Sequence, residues 1–370
     1  MATNITYLLG AGASFNAIPV VDGIPDALDH FANEFNPGKA YHNFAPIEFS
    51  DEKNQTIVKL FLYQHQNDVK TLREYHSKLR DFYKDIIWLK SEAKKHTSID
   101  TFAKKLYLQE DLPNLKKLKT ILSCFFIFLQ TKKFDKRYDS LFASVLDDLN
   151  NLPGQIKLLS WNYDSQLEIA FSNFTNDSIN EAKKKLKLHS KGDIMFDAYA
   201  PNEFCVYKIN GTTNIQKRDF NIDNILSDFK SNNTSIIKTF LDLHGELQNF
   251  KSQPNMTFAW EDYNTEKGFF PNLRHSISET EILIVIGYSF PFFNRKVDKF
   301  ILDSMSNLKK IYIQDPNNAN DIIEKIKDMV PWQKSFFNLG KPDKPATSTK
   351  EIIKFIPKTF VEQFFIPVEF

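Results

Sequence analysis

The sequence predicts an α/β fold: a Rossmann-like parallel sheet of about five to six strands flanked by helices, with a large helical insertion after the first strand. Two observations carry this prediction. Short unbroken apolar runs recur far apart in the chain, each ending on a polar or glycine-containing turn, as strands buried on both faces do. Helix-patterned stretches separate them, which parallel strands need for their crossovers. A count of 35 phenylalanines against 11 glycines in 370 residues adds an expectation of helix-rich packing.

The first strand is Ile5 to Leu9, running into Gly10-Ala11-Gly12-Ala13-Ser14. Two glycines after a buried strand permit a tight turn and close approach to phosphate oxygens, although Phe15 stands where the third glycine of a dinucleotide fingerprint would fall. Ala17-Ile18-Pro19 and Gly23-Ile24-Pro25-Asp26 then punctuate a loop expected to fold over the ligand, with Asp26 just ahead of a helical run from Ala27.

From Asn54 to about residue 150, leucine, phenylalanine and isoleucine fall at helical spacing among lysines and glutamates, predicting several amphipathic helices. Lys116 to Lys119 and Lys132-Lys133 are expected on their wet faces. Pro113 and Pro153 mark helix boundaries.

Ile156 to Ser160 forms the second strand and ends on Trp161-Asn162-Tyr163-Asp164. Phe204 to Ile209 forms the third, followed by Asn210-Gly211-Thr212-Thr213-Asn214. The polar stretch over about 215–275 reads as a second insertion and contains Leu243-His244-Gly245. Ile282 to Ile286 is the strongest strand and meets Gly287-Tyr288-Ser289; Lys310 to Gln314 is the fifth and ends on Asp315-Pro316-Asn317. The main body is expected to span residues 1–330, leaving 331–370 as a tail that packs on the body or on a partner chain.

Composition excludes several classes. With Lys+Arg 47 against Asp+Glu 46, no net field gathers a polyanion, so charge gives no support to nucleic-acid binding. Cys124 and Cys205 are the only cysteines, too few for a disulfide framework or a four-cysteine zinc site; no metal is expected, and a reducing cytoplasm fits. The N-terminus carries no secretory pattern, and the apolar run Ile121 to Leu129 falls far short of the ~20 residues of a spanning helix.

Taken together, the five strand ends GAGAS, NYD, NGTTN, GYS and DPN resemble the SIR2-like branch of the sirtuin superfamily. Gly10 to Ser14 looks like that family's GAG-x-S loop, Gly23 to Asp26 resembles its GIPD segment, and Asn162 with Asp164 matches its N-x-D element. Gly287-Tyr288-Ser289 is similar to the glycine-serine turn ahead of the last core strand. The resemblance runs discontinuously from residue 5 to about 317 and leaves the helical insertion and the tail uncovered.

The resemblance implies an NAD-binding domain. It assigns Gly10, Ala11, Gly12, Ser14, Asp164, Gly211, Gly287, Tyr288, Ser289 and Asp315 to the dinucleotide, and Asn162 with Asn210 to the reacting ribose and its water. Asp164 would organise that pocket. On residue type alone, Asn162 could equally cap the helix that follows it.

Two departures from the family pattern matter. The zinc module of lysine deacylases cannot be built from two cysteines, and Lys208-Ile209-Asn210-Gly211 stands where a K-L-H-G turn would carry the catalytic histidine. An amide cannot accept a proton as imidazole does. His189 and His244 are the open substitutes. The implied activity is hydrolysis of the nicotinamide-ribose bond of NAD+, in a defence effector that depletes NAD+ as a homo-oligomer or beside a partner protein. A binding module that retains NAD or ADP-ribose without turnover is the alternative. An unrelated dinucleotide oxidoreductase is disfavoured by the incomplete fingerprint.

Overall fold

The apolar runs that end on polar turns are strands, and their side chains alternate between two separate cores. The structure, a computed structural model, describes residues 2–38, 56–149, 151–191, 203–216, 233–248, 253–261, 268–329, 333–336 and 349–370. The expected start of the insertion at Asn54, its end at residue 150, and parts of the second insertion and of the tail lie outside the described residues.

The described strands are β1 (Ile5–Leu9), β2 (Ile156–Ser160), β3 (Leu188–Ser190), β4 (Cys205–Lys208), β5 (Gly211–Gln216), β6 (Gln253–Met256), β7 (Ile282–Ile286), β8 (Lys310–Gln314), β9 (Gln333–Phe336), β10 (Thr349–Ile352) and β11 (Lys354–Lys358). Seven of them form one parallel sheet in the order β11-β8-β7-β1-β2-β4-β3. All five expected strands are present, and the sheet is wider than the five to six anticipated because β3 and β11 join its edges. β3 is three residues long and polar at its centre, so it gives little signal. β11 contains Pro357, which an edge strand tolerates because its missing N–H need face no neighbour.

Between β1 and β2 lie α1 (Ile24–Glu34), α2 (Ile57–Gln64), α3 (Val69–Lys95), α4 (Ile99–Leu108), α5 (Leu112–Gln130) and α6 (Arg137–Val145). The later helices are α7 (Gln166–Thr175), α8 (Ile179–Lys185), α9 (Asn233–Gln248), α10 (Phe269–Ile277), α11 (Arg295–Ser304) and α12 (Ala319–Met329). On one sheet face Tyr7, Leu9, Leu158 and Ile284 pack against α6 and α7. On the other, Leu8, Leu159 and Val285 meet α10, α11 and α12.

The helices α1 to α5 enclose a third core of their own, and α9 closes it. Its centre is aromatic: Phe31 lies 4.9 Å from Phe35 and 5.3 Å from Phe128, and Phe35 stacks on Phe240 at 5.9 Å. The two insertions read separately from the sequence thus share one core.

Caps set the local boundaries. Asp68, Ser98 and Asp111 accept hydrogen bonds from the third residue beyond each, opening α3, α4 and α5, and Pro113 sits in the first turn of α5. Asp26, expected ahead of a helix starting at Ala27, instead lies in the first turn of α1, which begins at Ile24. The lysines expected on wet faces are partly engaged: Lys119 pairs with Glu261 at 2.7 Å and Lys117 lies 4.0 Å above the Trp88 ring. Among the described residues no helix is long and apolar enough to cross a membrane.

Chain order reverses at β1, which has β2 on one side and β7 on the other. The register aligns Leu9 with Ser160 and Ile286, and Ser160 with Lys208. The turns after β1, β2, β4 and β7 therefore leave the sheet at one level, along the carboxyl edge where open parallel sheets bind ligands.

At this reversal two turns touch backbone to backbone. The Gly12 N–H donates to the Gly287 carbonyl at 2.9 Å, and Gly10 N–H to Ile286 O at 3.0 Å. A Cβ on Gly12 would stand 2.7 Å from Gly287 Cα; one on Gly287, whose φ is +59°, would stand 2.4 Å from Gly12 Cα. Gly287→Ala combines a left-handed backbone penalty of roughly 1–2 kcal/mol with overpacking of about 1–3 kcal/mol. Thermal or denaturant unfolding of that variant is expected to show at least about 2 kcal/mol of lost stability from those two terms; wild-type stability would refute the interlock.

Candidate active site

The turns at the reversal surround a cavity of about 230 Å³. Its floor is polar: Ala11 from the β1 turn, Asn162 and Asp164 from the β2 turn, Asn210 from the β4 turn, and Gly287 and Ser289 from the β7 turn. Its walls are apolar or aromatic. Ile18, Pro19, Val21 and Ile24 come from the loop after β1, which does fold over the glycine turn. Trp161 stacks on Tyr288 at 5.5 Å and Phe126 on Tyr163 at 5.9 Å, giving two flat-faced pairs.

Asn162 is fixed by chemistry that leaves one orientation. Its Nδ2 donates to the Gly10 carbonyl at 2.9 Å and to Ser14 Oγ at 3.2 Å. Because a carbonyl oxygen only accepts, the amide nitrogen must face Gly10, and Oδ1 is left without a bond to the described residues. Asn162 does not cap the following helix. Asp164 does that work, its Oδ1 accepting from the Gln166 N–H at 3.0 Å. Asn210 donates through Nδ2 to the Trp161 carbonyl at 3.3 Å, while its Oδ1 is buried with no partner.

A buried polar layer supports this floor. Ser14 Oγ lies 3.0 Å from Tyr138 Oη. Arg137 donates to the carbonyls of Gly12 and Ala13 at 3.1 and 2.9 Å and pairs with Asp135 at 2.6 Å. Burial raises the Asp135 carboxyl, but its bonds with Arg137 outweigh that and hold it below the ordinary range.

On the other side Lys208 Nζ donates to the Asp164 carbonyl at 2.5 Å and lies 3.2 Å from Glu168 Oε2, an ion pair in which neither Glu168 oxygen receives a hydrogen bond. Burial pushes the Asp164 carboxyl up, partly offset by the Lys208 charge. Tyr288 Oη donates to Asp298, 2.9 Å from each carboxylate oxygen, and receives Asn294 Nδ2 at 2.9 Å; burial drives the Asp298 carboxyl well upward.

Other residues singled out from the sequence lie elsewhere. Gly10, Gly12 and Ser14 sit beneath the cavity, spent on the contacts just described. Gly211, at φ +77°, turns the chain where a Cβ would meet Asn255 O at 2.0 Å. Asp315 is outside the cavity lining and accepts the amides of Asn317 and Asn318 at 3.0 and 2.7 Å. His189 stacks on Tyr207 at 4.9 Å, and His244 bonds Asp85 at 2.7 Å in the helical core; neither lines the cavity. Among the described residues no three His, Cys, Asp or Glu side chains gather as metal ligands.

Sequence reading missed Asp100. It occupies the first turn of α4 behind the Ser98 cap, and with Ser98 and Phe126 it brings the helical insertion into the cavity wall. The residue is half-buried at the cavity wall, and burial of its carboxyl pushes its pKa up to about 6. The Ser-x-Asp pattern could have placed it in a helix's first turn, but nothing local says that this turn faces the sheet. Among the described residues, Asp100 and Asp164 are the carboxyl side chains of the lining, and no lysine, arginine or histidine joins them.

The chain matches no protein-family model and no curated protein.

The raised Asp100 pKa has a thermodynamic consequence. A carboxyl whose folded-state pKa exceeds its unfolded value costs nothing below the unfolded pKa near 4. It then destabilises increasingly as pH rises through about 6, where the cost becomes constant. Asp100→Asn is expected to raise the unfolding midpoint at pH 7.5 more than at pH 4. Equal shifts at both pH values would show that the carboxyl is not held in a desolvating site.

Proposed function

We propose that the chain hydrolyses the nicotinamide-ribose bond of NAD+, with Asn162 holding the attacking water and Asn210 beside it. The observation that carries this reading is a pair of amide oxygens, Asn162 Oδ1 and Asn210 Oδ1, without partners among the described residues, at a cavity whose described lining holds carboxyls and no lysine, arginine or histidine. Breaking a nicotinamide-ribose bond develops positive charge on the ribose. Fixed amide oxygens and carboxylates favour that charge where a lysine or arginine would oppose it.

The stacked Trp161–Tyr288 and Phe126–Tyr163 pairs suit a flat heteroaromatic ring. At about 230 Å³ the cavity is below the roughly 300–1,000 Å³ of pockets that engulf a drug-sized ligand. That size supports a reading in which the cavity takes the nicotinamide riboside end and the adenosine diphosphate portion lies outside. Water supplies the oxygen that joins the anomeric carbon, the electrons of the broken bond leave with nicotinamide, and one proton is released.

Use of this reaction in defence, by depleting cytoplasmic NAD+ as a homo-oligomer or beside a partner protein, belongs to the same proposal and rests on the motif resemblance. Phe292 and Phe293, 78% and 38% exposed near the mouth, are apolar surface of the kind assemblies cover. The absence of a histidine at Asn210 favours a second reading, a binder of NAD or ADP-ribose without turnover.

Chromatographic measurement of nicotinamide release separates the two. Wild type is expected to release nicotinamide. Asn162→Ala should lower kcat/KM by about 10²–10³-fold, the usual loss when one preorganised polar group is removed, with ADP-ribose affinity by calorimetry little changed. Binding without release in wild type would leave only the binder.

A further inference from the structure

We propose that Asp100, supplied by the helical insertion, is the catalytic base of this site and takes the proton of the water that attacks the anomeric carbon. The proposal rests on the hydrolytic reading above and assigns the group that the β4 turn, with asparagine in place of histidine, does not provide.

Elimination within the lining supports it. Of its titratable members, Tyr163 and Tyr288 are held far above neutrality by burial. Asp164 is 4% exposed and committed: Oδ1 accepts the Gln166 amide, and the carboxyl also takes a hydrogen bond from Ser14. Asp100 is half-buried in the cavity lining and, among the described residues, has no ion pair and no hydrogen bond from another side chain; its own backbone N–H takes one acceptor site and leaves the others for a water.

Two opposing influences set its basicity. Burial raises the carboxyl to about 6, while a hydrogen bond from its own backbone N–H favours the charged form. Its titratable neighbours in the cavity are Tyr163 and Asp164 from the β2 turn and Tyr288 from the β7 turn. Asp22, Asp26, Lys94 and His96 line an adjoining groove that shares Val21, Ile24 and Ser98 with the cavity. A base of this strength is ionised at neutral pH and closer to the operating pH than an ordinary carboxylate, where proton transfer is most effective.

The step balances. The water oxygen bonds to the anomeric carbon as the carbon–nitrogen bond breaks, and the bonding pair leaves on neutral nicotinamide. The water proton passes to Asp100 and then to solvent. Cleavage of one NAD+ by one water thus gives nicotinamide, ADP-ribose and one proton.

Initial rates of nicotinamide release by the full chain test the assignment. Wild-type kcat/KM should fall as pH drops below about 6, and Asp100→Ala should lose roughly 10²- to 10⁴-fold at pH 7.5 together with that acid limb. Azide, a nucleophile with no proton to surrender, should restore nicotinamide release in Asp100→Ala and yield a glycosyl azide, with little effect on wild type. Hydrolysis by Asp100→Ala at the wild-type rate with an unchanged acid limb would overturn the proposal. So would a slow variant that azide fails to rescue, since that marks a structural loss. If wild type itself releases no nicotinamide, the hydrolytic reading fails and this assignment with it, an outcome distinct from an active wild type whose Asp100 variants are equally active.

Discussion

The site depends on one contact, the backbone-to-backbone packing of the Gly10-Ala11-Gly12 turn against Gly287. Three positions must lack a Cβ for the turns after β1 and β7 to meet at this distance. Once they meet, Gly10 presents a carbonyl that can only accept, and Asn162 must turn its nitrogen toward it. The free oxygen of Asn162 is thus set two steps away, by the missing side chain of a residue on another strand. The glycines also do less for a phosphate than their pattern suggests. The amides of Gly10 and Gly12 are already donated to Ile286 and Gly287, so neither is open to a phosphate oxygen.

Behind this contact the structure buries charge, and it does so in pairs. Arg137 with Asp135 clamps the carbonyl side of the glycine turn, and Lys208 with Glu168 anchors the turn that carries Asn162 and Asp164. Such pairs gain little net stability, because desolvation consumes much of the Coulomb attraction. What they supply is geometry: each cation reaches a backbone carbonyl of a cavity-forming turn and fixes its direction. Both cations stay behind the floor, and among the described residues the cavity lining holds carboxyls and no lysine or arginine.

Much of the fold was legible because its signals are local. Ile156 to Ser160 and Ile282 to Ile286 are uninterrupted apolar runs, and the polar turns behind them fall at one sheet edge once the strands are parallel. Asn162, Asp164, Asn210 and Gly287, singled out by their strand-end positions together with the motif resemblance, do come together in the cavity lining. Asp315 has the same sequence signature but lies beside β8, away from the reversal at β1, and strand order is not written in any single segment. His244 looked like a candidate by residue type, yet the phenylalanine core that α9 shares with α1 to α5 holds it apart. Asp100 failed the other way: its carboxyl is ordinary in sequence and becomes special through the packing of α4 and α5 over the sheet edge.

That packing makes the cavity a joint product of two hydrophobic cores. The floor belongs to the sheet and is set by strand register, while Ser98, Asp100 and Phe126 belong to the helical core, where Ile99, Phe102 and Leu106 hold α4 in place. Surrounding the carboxyl with protein is what raises its pKa. A more open arrangement would relieve the destabilisation of the ionised Asp100 and weaken it as a base in the same motion. The helical insertion is thus a working wall of the site, and the basicity of Asp100 measures how tightly that wall is shut.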